Sequence, residues 1–247
     1  MSPPRIFVAT RLHEPQRLLL DPAPSNHLLR VLRLRPHAPV VLFDGRGGEW
    51  DGELVGNDGK RALIELKCHR PSTHPSPLKT TLAIGVSRGE RMDWVVQKCT
   101  ELGVERIQPL RTERVEVRLA ADRWARKRDH WQQVAVSACE QSGRDRVPQI
   151  DAIEALSDWL PKAEAELKLA LHPGGSAWPA LAPRPESVVL LCGPEGGFSS
   201  SEVEQMGVAG FQVCGLGPRV LRTETAPVAG LSVAQFLWGD WRQEEIG

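Results

Sequence analysis

Apolar positions change their period partway along the chain. Up to about residue 70 they fall in short runs broken by turn signals; beyond residue 79 they fall in strand-length and helix-length blocks that alternate. The segment "APVVLFDGRGGEWDGELVGNDGKRALIEL" carries Asp-Gly, Gly-Gly and Asn-Asp-Gly at the spacing of a small antiparallel barrel. "SNHLLRVLRL", residues 25–34, interrupts it with one or two helical turns, for which Ser25 or Asn26 is the expected cap. "RPSTHPSPLK", residues 70–79, has the prolines and serines of a short stiff linker. The expected domains are therefore 1–70 and 79–247, joined by 71–78.

The second domain reads as α/β with a parallel sheet. A strand at 80–86 precedes a helix at 91–103 with Met92, Val95, Val96, Cys99 and Leu102 on one face and Gly103 past its end. The strand "RIQPL" and a long helix at 122–142 follow. Trp94 and Trp131 fall on apolar helical faces and are expected in the core. Further on, the pattern predicts a helix at 152–160, strands at 167–171 and 187–192, a helix at 200–207, a strand at 211–214 and a helix at 225–241. Val188–Leu191, aliphatic and β-branched, is expected to be covered on both faces. Ser199 and Glu202 spell a capping box for the helix that follows.

Composition adds an asymmetry. The 247 residues carry no net charge, yet residues 1–150 hold 25 Lys and Arg against 18 Asp and Glu, and residues 151–247 hold 6 against 13. The first part can face a polyanion, and 24 of the 31 basic residues are Arg, which suits bidentate phosphate contact. Five dispersed cysteines without a C-x-x-C pair read as reduced, buried thiols. No apolar run is long enough to cross a bilayer and the N-terminus lacks a secretion signal, so a cytoplasmic protein is expected.

Two glycine-rich turns stand out. "CGPEGGFSSSE" leaves a strand and enters a capped helix; "CGLGPRVLRTETAP" repeats the arrangement. The first lacks the lysine of a phosphate-binding loop, and Glu195 within it would repel a pyrophosphate. The acid that a dinucleotide fold needs about 20 residues on is replaced by Cys214 and Gly215. If the two strands lie side by side in a parallel sheet, both turns emerge at its carboxyl edge and face one pocket.

"GPEGGFS" followed by "LGPRVLRTETA", preceded by "RMDWVVQKCTELGV" and "SACEQSGR", with "HLLRVLRLRPHAPVVLFDGRG" in the N-terminal domain, resemble the RsmE family of ribosomal RNA uracil-N3 methyltransferases, of the SPOUT class. The resemblance implies a PUA-like RNA-binding β-barrel, then a methyltransferase domain with a trefoil knot, S-adenosylmethionine as cofactor, no metal, and a homodimer. It implies methylation of N3 of a uridine in small-subunit (16S) ribosomal RNA. It carries cofactor binding onto Gly193, Glu195 and Gly197 in the first turn, Leu216, Gly217, Leu221 and Arg222 in the second, and His172 as a wall. A non-catalytic RNA-binding assembly factor, or a SPOUT methyltransferase with another RNA target, is the alternative.

The chemistry suits these residues. S-adenosylmethionine carries no phosphate and needs backbone partners and an apolar slot. Uracil N3 must lose its proton, and a cation beside the flanking carbonyls would stabilise the resulting anion; Arg222 is the candidate. Glu224 or Glu195 is the candidate proton acceptor, a role that favours a raised pKa. For RNA capture, His27, Arg30 and Arg33 share one helical face by their spacing of three, with Arg5, Arg11, Arg88, Arg91 and Arg144 as further cations.

Overall fold

The computed structural model describes residues 2–14, 17–72, 76–115, 120–179 and 183–241. It divides into two compact units, Met1–His74 with Cys139–Val147, and Pro75–Ala138 with Pro148–Gly247. Inclusion of Cys139–Val147 in the first unit is a contribution that the linker pattern did not reveal.

In the first unit, β1 (Arg5–Phe7), β2 (Arg17–Leu19), β3 (Pro39–Phe43), β4 (Glu49–Asp58) and β5 (Arg61–Arg70) form one sheet in the order β1-β3-β4-β5-β2. The pairings are antiparallel except β1 with β3, which is parallel and departs from the expected all-antiparallel pattern. Ile6, Leu20, Leu28, Leu42, Leu54 and Ile64 fill its core. The helical insert comes earlier than expected. α1 (Pro22–Asn26) starts at Asp21, with Pro22 supplying the fixed φ that suits a first helical position. Ser25 is no cap: its buried hydroxyl donates to the Leu20 carbonyl and accepts from the Ala62 N–H, tying the helix to β5. A wider turn over His27–Val31 follows, and Arg33 adopts a left-handed φ of 52°. The helical path has ended by then, so the face expected to join His27, Arg30 and Arg33 holds only the first two.

The second unit is a parallel sheet. Its strands are β6 (Lys79–Gly85), β7 (Arg106–Arg111), β8 (Gln149–Ile150), β9 (Glu154–Ala155), β10 (Leu167–Ser176), β11 (Ser187–Cys192) and β12 (Gln212–Cys214). The order is β12-β10-β11-β6-β7-β8, with β9 also on β7, and every pairing is parallel. Alternation along β11 explains its apolar run. Val188, Leu190 and Cys192 pack toward α2 (Arg91–Glu101), α3 (Ala121–Ser142) and α6 (Thr225–Trp238). Val189 and Leu191 pack toward α4 (Leu156–Trp159) and α5 (Ser200–Val208). A strand buried on both faces has no polar side to present, hence the uninterrupted aliphatics.

Two element boundaries and one burial expectation are corrected by the structure. The helix predicted at 152–160 is reduced to α4: Glu154 and Ala155 are taken up by β9 on β7, and the end tightens into a turn over Leu160–Lys162, because Pro161 cannot donate to an α-helical bond. β10 runs to Ser176 rather than 171, through an irregularity between Leu171 and Ser176. Trp131 is buried as expected, but Trp94 is 42% exposed. Among the cysteines, Cys68 is exposed, whereas burial pushes the Cys139 and Cys214 thiols up to about 11 and leaves them inert at neutral pH.

Candidate active site at the carboxyl edge of the parallel sheet

The strands that carry the two glycine turns are not neighbours. β10 lies between β11 and β12, so the side-by-side arrangement expected from the sequence is corrected. Because all three are parallel, the two turns and the end of β10 still emerge at one edge. The order places His172, on β10, between the turns.

The second turn builds a cleft. His172, Leu216, Gly217 and Leu221 line it with Leu171, Pro173, Arg219 and Ala226, bordering about 50 Å³ of accessible space open to solvent. Its walls are mainly apolar. The His172 Nδ1 lies 2.7 Å from the Pro173 carbonyl, which can only accept, so Nδ1 carries the proton. Gly217 sits at φ 87° with nothing within 4 Å of where a Cβ would stand, which leaves its backbone approachable. The main chain then turns back on itself, the Arg222 carbonyl accepting from the Thr225 and Ala226 N–H groups, and delivers Glu224 to the start of α6.

The first turn is clamped from three directions. The capping box is present: Ser199 and Glu202 exchange hydrogen bonds at the start of α5. Glu202, only 3% exposed, also accepts from the Glu113 N–H at 2.8 Å, while Arg114 donates to the Gly196 carbonyl. Glu195 accepts from the Arg88 N–H at 3.1 Å and from the Arg91 guanidinium at 2.6 Å. Burial alone would raise the Glu195 carboxyl, but hydrogen bonds from its own N–H, the Arg88 N–H and Arg91 outweigh it and hold the group below the ordinary glutamate range. A carboxylate so stabilised is a weaker base than a free glutamate. Being depressed, it contributes stability above its unfolded pKa that is lost only as pH falls through the lower folded value. A carboxyl NMR titration should find the Glu195 midpoint below that of free glutamate, and Arg91→Ala should move it upward.

Arg91 faces both turns. Besides Glu195, its Nε lies 3.8 Å from Glu224, whose other oxygen lies 4.0 Å from Arg222. Arg222 is 81% exposed, so it is not locked in a structural pair. The sequence suggested Arg91 for RNA, whereas its partners in the structure are the two turn carboxylates. Only spatial proximity reveals this, since Arg91 and Glu195 are 104 residues apart.

The expected RNA cations divide. Arg11, His27, Arg30 and Arg33 are exposed, and Arg30 borders an open hollow with Asn26, Asn57, Lys60 and Arg61. Arg88 is exposed, and Arg144 is half-buried with its carbonyl bonded to Arg5. Arg5 does not fit the phosphate-gripping role. Its side chain is 15% exposed, pairs with Glu49 at 2.5 Å, donates to the Cys139, Glu140 and Arg144 carbonyls, and lies over the Phe43 ring. It clamps Cys139–Val147 into the first unit. Arg5→Ala should therefore cost about 1–3 kcal/mol in urea unfolding by stranding those carbonyls, with no change in the salt dependence of RNA binding.

Comparison with known proteins follows the same division. An RNA methyltransferase domain family matches residues 74–235 and an RNA methyltransferase PUA domain family matches residues 20–67. A Buchnera aphidicola (subsp. Schizaphis graminum) protein named ribosomal RNA small subunit methyltransferase E is 32% identical over 241 residues, covering 96% of this chain and 97% of its own. The chain belongs to the RsmE family. The Bacillus subtilis RsmE is 30% identical, covering 85% of this chain and 86% of its own. Among solved structures, a Neisseria gonorrhoeae RsmE bound to S-adenosyl methionine is 37% identical with a TM-score of 0.90, over 98% of this chain and all of that one. A Legionella pneumophila methyltransferase in complex with the cofactor SAM is also 37% identical, with a TM-score of 0.92 over 97% of this chain and all of that one. The RsmE assignment accounts for an α/β domain joined to a PUA-like domain. Among the described residues no helix is long and apolar enough to cross a membrane, and no group of three or more His, Cys, Asp or Glu is arranged to hold a metal ion.

Proposed function

We propose that this chain methylates N3 of a uridine in small-subunit (16S) ribosomal RNA, with S-adenosylmethionine as donor. The observation that carries the reading is the convergence, at one edge of a parallel sheet, of an apolar cleft with exposed glycine backbone and the other glycine turn, which has no lysine to hold a phosphate. That donor set fits S-adenosylmethionine: Leu171, Leu216, Leu221 and Ala226 offer apolar cover, and the Gly217 and Gly197 backbones, both at positive φ with open space beyond, offer polar atoms. When bound, the cofactor supplies an electrophilic methyl group.

The protein's own residues then have separable tasks. His172, Gly193, Gly197, Leu216, Gly217 and Leu221 hold and orient the donor. Arg222, exposed on the second turn, donates to the uracil carbonyl oxygens on which charge accumulates as N3 loses its proton. Glu224 accepts that proton directly or through water, while Glu195 stays charged and holds the first turn. The N3–carbon bond forms as the sulfur–carbon bond breaks, and the thioether product leaves. Correct alignment of donor and N3 supplies much of the rate.

The reading includes a PUA-like barrel in the first domain, a trefoil knot, a homodimer and a cytoplasmic location. Membership of the family is what supports the knot; in this chain α6 returns from edge strand β12 to pack on the sheet, where Gly230 admits Leu171 at a distance no Cβ would allow. Exposed Trp94 on α2 and Phe236 on α6 supply apolar surface for a second copy. The deciding experiment is nucleoside mass spectrometry after incubation with undermethylated small-subunit RNA. N3-methyluridine is the expected product; a methylated ribose, another base or no methyl transfer would refute the proposal.

A further inference from the structure

We propose that Arg91 is a positioning residue that ties the two glycine turns together through Glu195 on the first and Glu224 on the second, and so sets the width of the donor site. The inference rests on the functional reading above and assigns a role within it.

The geometry is specific. Two carboxylates, one per turn, face a single guanidinium, with Nη1 at 2.6 Å from Glu195 and Nε at 3.8 Å from Glu224. Glu195 is held a second time by the Arg88 N–H, so the loop before α2 and the first residue of α2 grip the first turn at two points. Glu224 is mostly buried, with 21% exposure, and the other cation near it, Arg222, is largely in solvent. Arg91 is the better anchored of the two cations, because α2 buries Met92, Val95, Val96 and Cys99 in the core. Removing it would leave two like charges facing each other across the site, free to drive the turns apart. An isolated half-exposed ion pair contributes little to global stability, so the expected effect lies in site geometry rather than in folding. Lysine keeps the charge but, as a point donor, cannot engage both carboxylates at separate nitrogens.

Calorimetric titration of S-adenosylmethionine into the full-length protein tests this. R91A should weaken binding about tenfold, R91K should recover only part of the loss, and E195Q should weaken binding in the same direction. R91A combined with E195Q should be no worse than R91A alone, because the two changes break one tie. The salt dependence of RNA binding should be unchanged in R91A. Retention of wild-type cofactor affinity by R91A would overturn the inference. A salt slope reduced by about one would overturn it too, marking Arg91 as a phosphate contact. R91K guards against misfolding, since it preserves the charge. Failure of the wild type to bind the cofactor would sink the functional reading itself, whereas wild-type binding with an indifferent R91A sinks the positioning role alone.

Discussion

Arg222→Ala is expected to lower turnover by about 10²–10³-fold, the usual cost of removing one donor aimed at developing negative charge, while RNA retention stays near that of the wild type. The contrast arises from placement. Arg222 is 81% exposed on the turn beside the cofactor cleft, with Glu224 at the limit of ion-pair distance, so the guanidinium is available to a bound base. Its removal strands no buried partner and should leave thermal unfolding unchanged. The complementary variant, Arg30→Ala with Arg33→Ala, should instead weaken RNA retention and flatten its salt dependence by about one to two phosphate contacts, at little cost to turnover at saturating RNA. Steady-state kinetics and filter binding across a salt series separate the two. Equal losses of both properties in both variants would refute this division.

Gly85→Ala is expected to destabilise the protein and to weaken the first glycine turn. Gly85 ends β6, and a Cβ there would stand 2.6 Å from Pro194 Cδ and 2.7 Å from Pro194 N. Neither atom belongs to a flexible side chain, so the strain must be relieved by moving the first glycine turn or the strand beneath it. Overpacking of this kind costs about 1–3 kcal/mol, and a displaced turn should also lose cofactor affinity beyond what the stability loss explains. Gly207→Ala is the control. That glycine lies inside α5 with nothing within 4 Å of a built Cβ, so alanine there should be neutral or stabilise by up to about 1 kcal/mol. Urea unfolding and calorimetric titration of the two variants should therefore diverge in opposite directions.

Much of the architecture was legible because it is local. The two-faced aliphatic run of β11 and the capping box at Ser199 and Glu202 each depend on residues within a few positions of one another, and both stand as read. Expectations that needed distant partners fared worse. Ser25 has the chemistry of a cap, yet its hydroxyl is used by Leu20 and by Ala62, 37 residues away. Arg5 has the chemistry of a phosphate contact, yet Glu49 and three carbonyls about 135 residues on absorb its donors. Trp94 lies at a position the helical period assigns to the core, yet no neighbouring element covers it fully.

By itself, the amino-acid sequence determined the alternation of strands and helices, the two glycine turns, the exclusion of a phosphate cradle and the family. Tertiary structure alone decided that β10 separates the strands bearing those turns, that Glu195 accepts from the Arg88 N–H and from Arg91, and that Arg91 stands between the two turns. The physical reason is range. Backbone periodicity and capping act over a few residues and are written in order along the chain, whereas charge pairing and burial depend on which distant segments the sheet order brings within about 4 Å.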